Sequence, residues 1–464
     1  MSSVVPESGS FRDHRGRIFY VDDRVFRTVM PVAMEDFDYV RSSGLVDDLV
    51  AAGLLIGESR ADKALLGEKG ADAALVLEHP RVPFVSYPYE WSFAALKAAA
   101  LLHLELHQEA LRKNVTLTDA SAYNVQFQGA SPLFIDSLSL RRYEDGEFWA
   151  GHRQFCEQFV NPLLLGSVTG VSHNAWFRGA LEGISANDIS KILPWRSRLS
   201  WNTLTHVFMQ SRLQSSSNHS DAAVERAKSR KLPKIGFEQI LYGLHRWISK
   251  LEPKKGDATV WQDYARDNSY VDEEVSKKRA FIADFVSAAS PNLLFDIGCN
   301  TGDYSVLALE SGARYAVGFD FDPGALDHAF RRARRDELNF LSLHLDAANP
   351  SPSQGWMQQE RQGFAERANG DAVIALAVVH HLAITKNLPL HQVIDWIIDM
   401  APQGVIEFVP KSDPMVQRLL NLREDIFANY DEDSFRSIMA TRARIIKSSV
   451  VSSGGRTLFW YERL

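Results

Sequence analysis

The chain has 464 residues, too many for one ordinary domain, and its 45% hydrophobic and 23% charged side chains are those of a globular protein. This balance excludes a disordered, collagen-like or fibrous chain, and the apolar run Val373–Val379 falls far short of the roughly 20 residues that cross a bilayer. The net charge of −7 lies in the second half, where residues 258–464 hold 21 basic against 28 acidic side chains while 1–257 hold 30 of each, a poor balance for neutralising nucleic-acid phosphates.

The first residues, MSSVVPESGSFRDHRGR, carry no apolar export core, so a cytoplasmic protein with no membrane partner is expected. Arg17–Val29 reads as two short strands about an Asp-Asp turn. Asp36–Gly53 has helical spacing and ends on glycine. Ala73–Glu78 and Val82–Tyr87 read as strands interrupted by Pro80, and Trp91–Lys113 as a strong Ala/Leu-rich helix. A short strand Leu133–Ile135 and aromatic-rich helices follow, up to about residue 211. Cys156 and Cys299, the two cysteines, cannot build a disulfide framework or a cysteine zinc site, so no metal is expected.

A Ser/Asn-rich stretch and a basic run, Arg226–Lys234, break the pattern and mark a solvated linker. The expected domains are therefore 1–211, a linker and lead-in helix over 212–257, and 258–464. Helices are expected at Phe237–Leu251 and Glu273–Ser287. Beyond them apolar strands alternate with helices: Leu293–Ile297, Ala316–Phe319, Phe340–Leu345, Ala372–Leu376 and Gly404–Val409. Such alternation predicts βαβ units in a doubly wound parallel sheet. Ala443–Ser452 and Thr457–Glu462, parted by Ser-Gly-Gly, predict an antiparallel edge hairpin. The fold class is α/β for this Rossmann-like half, beside an α+β N-terminal half.

LLFDIGCNTGDYS, residues 293–305, runs a strand into a glycine loop and a helix start. Glycines let the backbone turn and approach a ligand, and the helix start offers unpaired N–H groups. Asp296, two residues before Gly298, would repel a pyrophosphate but suits a ligand with an ammonium group. The stretch resembles motif I of class I S-adenosylmethionine-dependent methyltransferases, with Asn300 where the family has its middle glycine. Asparagine enters the left-handed region more readily than most residues. The resemblance implies S-adenosylmethionine as cofactor, held by Asp296, Gly298, Asn300 and Gly302. It implies that Asp320, in GFDFDP, binds the ribose hydroxyls and that Asp346, in LHLDAANP, contacts the adenine. Tyr270, Trp261 and Tyr264, just before the first strand, are candidates for covering the cofactor or walling the substrate, with core packing as the alternative.

In this family the methyl projects toward the loop after the fourth strand, which makes His380 and His381 candidate bases, because a neutral imidazole accepts a proton near working pH. The alternative is packing for one and a backbone hydrogen bond for the other. Glu407, in the apolar strand VIEFVP, is costly to bury unless paired or used, either to orient substrate or in an ion pair with Lys411 or an arginine. No Asn-Pro-Pro-Tyr motif supports exocyclic-amine methylation. Arg331, Arg332, Arg334 and Arg335 read as a solvated helix face.

In the N-terminal half, Asp119 and Asn124 lie five apart and Asp136 follows an apolar strand. Asx turns and strand ends account for such residues. The pattern also resembles the catalytic and metal loops of kinase-like phosphotransferases. Thr118 and Leu138 stand where that family has histidine and glycine. Neither a glycine-rich phosphate loop before residue 60 nor a Val-Ala-x-Lys strand is present, so a degenerate kinase-like lobe serving substrate recognition is implied. Across nearly its full length, through PFVSYPYEWSF, LTDASAYNVQF, FIDSLSL, ALAVVHHLAI and IEFVPK, the chain resembles two-part bacterial methyltransferases that include rhizobial nodulation host-specificity proteins. The expected acceptor is a small metabolite or natural-product intermediate. An RNA or protein acceptor, and a regulatory module binding ATP or a partner, stay open.

Overall fold

The computed structural model describes residues 3–209, 211, 231–254, 272–421 and 424–464. It divides into two compact units, 1–256 with 354–361, and 257–353 with 362–464. Trp261, Tyr264, Tyr270 and the basic run from Arg226 to 230 lie outside the described residues.

In the first unit five antiparallel strands, β1 (Val4–Pro6), β2 (Ile18–Val21), β3 (Arg24–Val29), β4 (Ser59–Ala61) and β5 (Leu75–His79), pair in the order β1-β2-β3-β5-β4. The Asp-Asp turn joins β2 to β3, with Asp22 at φ 51°. The expected helix over 36–53 is two helices, Met34–Ser42 and Leu45–Ala51, because Gly44 sits at φ 72° and starts a second axis. Val82–Tyr87 is not a strand. Pro83 removes a ladder donor inside it, Pro80 and Pro88 bracket it, and side chains serve its backbone instead. Ser86 N donates to Gln126 Oε1 (2.9 Å), and Tyr87 N donates to Glu90 Oε2 (2.9 Å).

The long helix, Phe93–Arg112, starts at Ser92, whose hydroxyl accepts from Ala95 N, and buries most of its Ala/Leu surface. Two small antiparallel pairs follow it, β6 (Val115–Leu117) with β9 (Leu140–Arg142) and β7 (Val125–Gln128) with β8 (Ser131–Phe134). The helix Lys234–Ile248 packs on the long helix, with the Phe237 ring edge-on to His107 at 5.3 Å. The expected lead-in helix thus belongs to the first unit.

The second unit carries a seven-stranded sheet: β10 (Leu293–Ile297), β11 (Tyr315–Asp320), β12 (Phe340–His344), β13 (Ala372–Ala375), β14 (Gln403–Phe408), β15 (Ala443–Val450) and β16 (Thr457–Arg463). The order is β12-β11-β10-β13-β14-β16-β15. The first five strands are parallel, and β16 runs antiparallel beside β14 and closes the edge with β15. All the expected strands are present, within two residues at each end. The direction of winding reverses between β10 and β13, and such a switch opens a crevice beyond the carboxyl ends of the strands. Fully buried Phe295 on β10 packs edge-on against Phe319 on β11 at 5.7 Å. Phe295→Ala is expected to cost the second unit about 3–5 kcal/mol, read by urea denaturation followed by circular dichroism.

Candidate functional site

At the switch point lies a cavity of about 550 Å³, its floor formed by the loop after β10. That loop runs through three left-handed residues, Gly298 (φ 79°), Asn300 (φ 49°) and Gly302 (φ 83°), so Asn300 does adopt the conformation expected of it. The glycines are sterically required. A Cβ on Gly298 would stand 2.6 Å from Val378 Cγ2, and one on Gly302 would stand 2.4 Å from the Phe340 ring. The helix Asp303–Glu310 starts directly behind the loop.

Asp320, at the tip of β11, lines the cavity and is held from two sides: Asn300 N donates to Oδ2 (2.8 Å) and Asp322 N to Oδ1 (2.9 Å). Burial raises its pKa from the ordinary carboxylate value, while these backbone donors oppose the rise. Asp346 lines the same wall beyond β12 and accepts from Ala348 N (3.0 Å). Asp296 is placed differently from Asp320 and Asp346. It is buried beneath the loop, outside the cavity lining, where its Oδ2 accepts from the Ser305 hydroxyl (2.6 Å). Burial pushes its carboxyl up to about 7. Asp296 therefore fixes the loop to the following helix. Phe321, 58% exposed and lining the cavity beside Asp320, was not among the expected site residues. Its signal was an aromatic directly after a strand-tip acid.

The loop after β13 forms the opposite wall. His381 lines the cavity; His380 is fully buried behind it, with the two rings 4.2 Å apart. Burial, then Arg456, pulls His381 down to about 4, and burial followed by His381 holds His380 well below its ordinary value. Both imidazoles are neutral at pH 7, and His381 alone of the two faces the space where a ligand would lie. Arg456 and Lys278 line the same end, and neither was anticipated. Arg456 makes a two-point pair with Asp413 (2.7 and 3.1 Å).

Glu407 is fully buried on β14 and does not line the cavity. It pairs with Lys278, whose Nζ lies 2.8 Å from Oε2, while Lys411 pairs with Asp425. The same oxygen accepts from Ala377 N (2.7 Å). Ala377 stands at φ 55°, a conformation an L-alanine holds only when its surroundings enforce it. Glu407 thus positions the turn that carries Val378 against Gly298 and leads to His381.

In the first unit, Asp119, Asn124 and Asp136 do come together. Asn124 Nδ2 lies 3.2 and 3.3 Å from the Asp119 oxygens and 3.4 Å from Asp136 Oδ2. Buried Arg27 of β3 joins them, 2.6 Å from Asp136 and 2.9 Å from Asp13. Burial, then the charge of Asp136, pushes Asp119 up to about 7. Asp136 also closes an Asx turn onto Leu138 N (3.3 Å). The sequence signal for Arg27 was an arginine amid the apolar strand RVFRTV. On the solvated arginine face, Arg332 pairs with Asp303 and Arg335 with Asp336.

Lys278→Met is expected to destabilise the second unit by about 3–5 kcal/mol, because it removes the ammonium 2.8 Å from the fully buried Glu407 carboxylate. Lys278→Met combined with Glu407→Gln, which keeps an acceptor for Ala377, is expected to recover part of that loss. Urea denaturation of the two variants checks both statements.

Comparison with known proteins adds the family. No family model matches the chain. Solved structures it matches include magnesium protoporphyrin IX methyltransferase (ChlM) of Synechocystis PCC 6803 with bound SAH, 18% identical over 48% of this chain and 95% of that one, with a TM-score of 0.31. Another is the N-methyltransferase NodS of Bradyrhizobium japonicum WM9 in complex with S-adenosyl-L-homocysteine, 13% identical over 44% of this chain and 97% of that one, TM-score 0.32. A curated protein of Rhizobium meliloti (strain 1021), nodulation protein NoeA, is 46% identical over 457 residues, 98% of this chain and 96% of its own length. With that identity along almost the whole of both chains, this protein belongs to the family of the nodulation protein NoeA.

Proposed function

We propose that the protein is an S-adenosylmethionine-dependent methyltransferase acting on a small-molecule acceptor, with the second unit carrying the chemistry and the first shaping or recruiting the acceptor. One observation carries this reading: the loop with left-handed Gly298 and Asn300, the Asp320 carboxylate fixed by Asn300 N, and Asp346 border one cavity that ends on His381. The residues fit the cofactor. The exposed backbone of Gly298 to Thr301 leaves room for its amino-acid end, Asp320 offers oxygens to paired hydroxyls, and Phe321 with Asp346 offers a ring face and an acceptor to a base. The cofactor, when bound, supplies an electrophilic sulfonium methyl.

The chain's own residues align the acceptor and manage its proton. Rate then comes chiefly from holding the nucleophile at near-attack distance. His381, neutral and facing the cavity, takes the proton where the acceptor must lose one. Lys278 and Arg456, both in ion pairs, fix the shape of that end of the cavity. The acidic balance of residues 258–464 favours a small acceptor over RNA. Among the described residues no helix is long and apolar enough to cross a membrane.

Asp320→Ala is expected to weaken binding of S-adenosylhomocysteine by about tenfold or more, since it removes acceptors held for a buried ligand. Titration calorimetry reads the change, and an unchanged affinity would overturn the assignment. His381→Ala is expected to lower turnover by about a hundredfold with cofactor affinity retained. In the wild type, turnover with a proton-losing acceptor is expected to stay level from about pH 8 to about pH 5 and to fall as the medium drops through about 4, where the imidazole protonates.

A further inference from the structure

The first unit holds a cluster of ligating groups that the methyl-transfer reading does not use. His152 and Cys156 stand four residues apart on one continuous helical run, a spacing that turns both side chains to the same face. His206 reaches them from the segment Leu204–Phe208, about fifty residues later. His152 Nε2 is 3.0 Å from His206 Nδ1 and 3.8 Å from Cys156 Sγ, and the three ligand atoms all lie within 4.8 Å of one another.

These separations match the edges of a coordination polyhedron. Around a tetrahedral zinc ion with bonds of about 2.0–2.1 Å to nitrogen and about 2.3 Å to sulfur, neighbouring ligand atoms stand about 3.3–3.7 Å apart. The two edges that meet at His152, 3.0 and 3.8 Å, bracket that range, and the third, between Cys156 and His206, is no longer than 4.8 Å, so an ion draws the three together by rotation of the His206 and Cys156 side chains. The surroundings hold the ligands in place. Cys156 is fully buried, the Trp149 ring meets His152 edge-on at 5.4 Å, and Trp247 stacks on His206 at 6.0 Å. A borderline-soft set of two imidazoles and one thiolate selects zinc-class ions over magnesium or calcium, which prefer oxygen ligands. Counting cysteines alone misses such a site, because histidines supply two of its three ligands.

We propose that His152, Cys156 and His206 form a binding site for a zinc-class divalent cation, which clamps the segment around residue 206 to the helical run beginning at His152, with a fourth position open to water. The rival arrangement is a metal-free hydrogen bond between the imidazoles beside a thiol. Cobalt(II) titration of the full-length chain, stripped with chelator, separates the two. One equivalent is expected to bind with a near-ultraviolet thiolate-to-cobalt charge-transfer band. Zinc is expected to displace it and to raise the melting temperature of the first unit. The band is expected to vanish in Cys156→Ser and to persist in Cys299→Ser. His206→Asn, at a part-exposed position, is expected to weaken cobalt binding by more than about tenfold, the loss that removing even an outer partner of a metal ligand brings. If Cys156→Ser fails to fold, the wild-type band and the His206→Asn affinity decide. A folded wild-type chain without the band would overturn the proposal, and so would a band that survives Cys156→Ser or an affinity indifferent to His206→Asn.

Discussion

The second unit is organised around one fully buried carboxylate. Glu407 is sealed from bulk solvent, and its charge is compensated by the Lys278 ammonium and the Ala377 N–H. Those two partners come from the helix Asp272–Ala289 and from the turn after β13, so a single side chain sets the spacing among three elements. The strain of a left-handed alanine is the visible cost. Ala377 in turn delivers Val378 to within reach of the Gly298 backbone, where no side chain fits. The floor and the far wall of the cavity are thus registered against each other through Glu407, although Glu407 itself never faces the cavity.

Much of this half was legible in the sequence because its signals are local. Apolar strands, the glycine loop and the strand-tip acids Asp320 and Asp346 each announce themselves within about ten residues, and an asparagine in a glycine's place is readable from its conformational tolerance. The partners of Glu407 and Asp413 were not legible. Lys278 is 129 residues from Glu407, and Arg456 is 43 from Asp413; no periodicity links them. Asp296 was read as a ligand-facing acid because its position before Gly298 is visible, whereas the direction of its side chain is set by Ser305, nine residues on. Between His380 and His381 the choice depends on which ring the turn buries, and adjacent letters cannot show that.

The N-terminal unit shows the same division. The Asp119, Asn124 and Asp136 cluster follows from spacing. Its closure by Arg27 does not, since β3 precedes the loops by about ninety residues. Prolines near residue 84 and the left-handed Gly44 altered two expected elements by ordinary backbone rules, denial of a ladder donor in one and a turn of the chain axis in the other.

The antiparallel edge of the sheet has a consequence for the order of assembly. Arg456 immediately precedes β16, a strand that can pair with β14 only after residues 457–463 have been synthesised. The glycine loop and its acids are complete by residue 346. During translation a nascent chain therefore possesses the loop end of the cavity more than a hundred residues before it possesses the end bordered by Arg456. The far wall of the cavity is therefore finished last, when β16 pairs with β14 and brings Arg456 to its place beside Lys278.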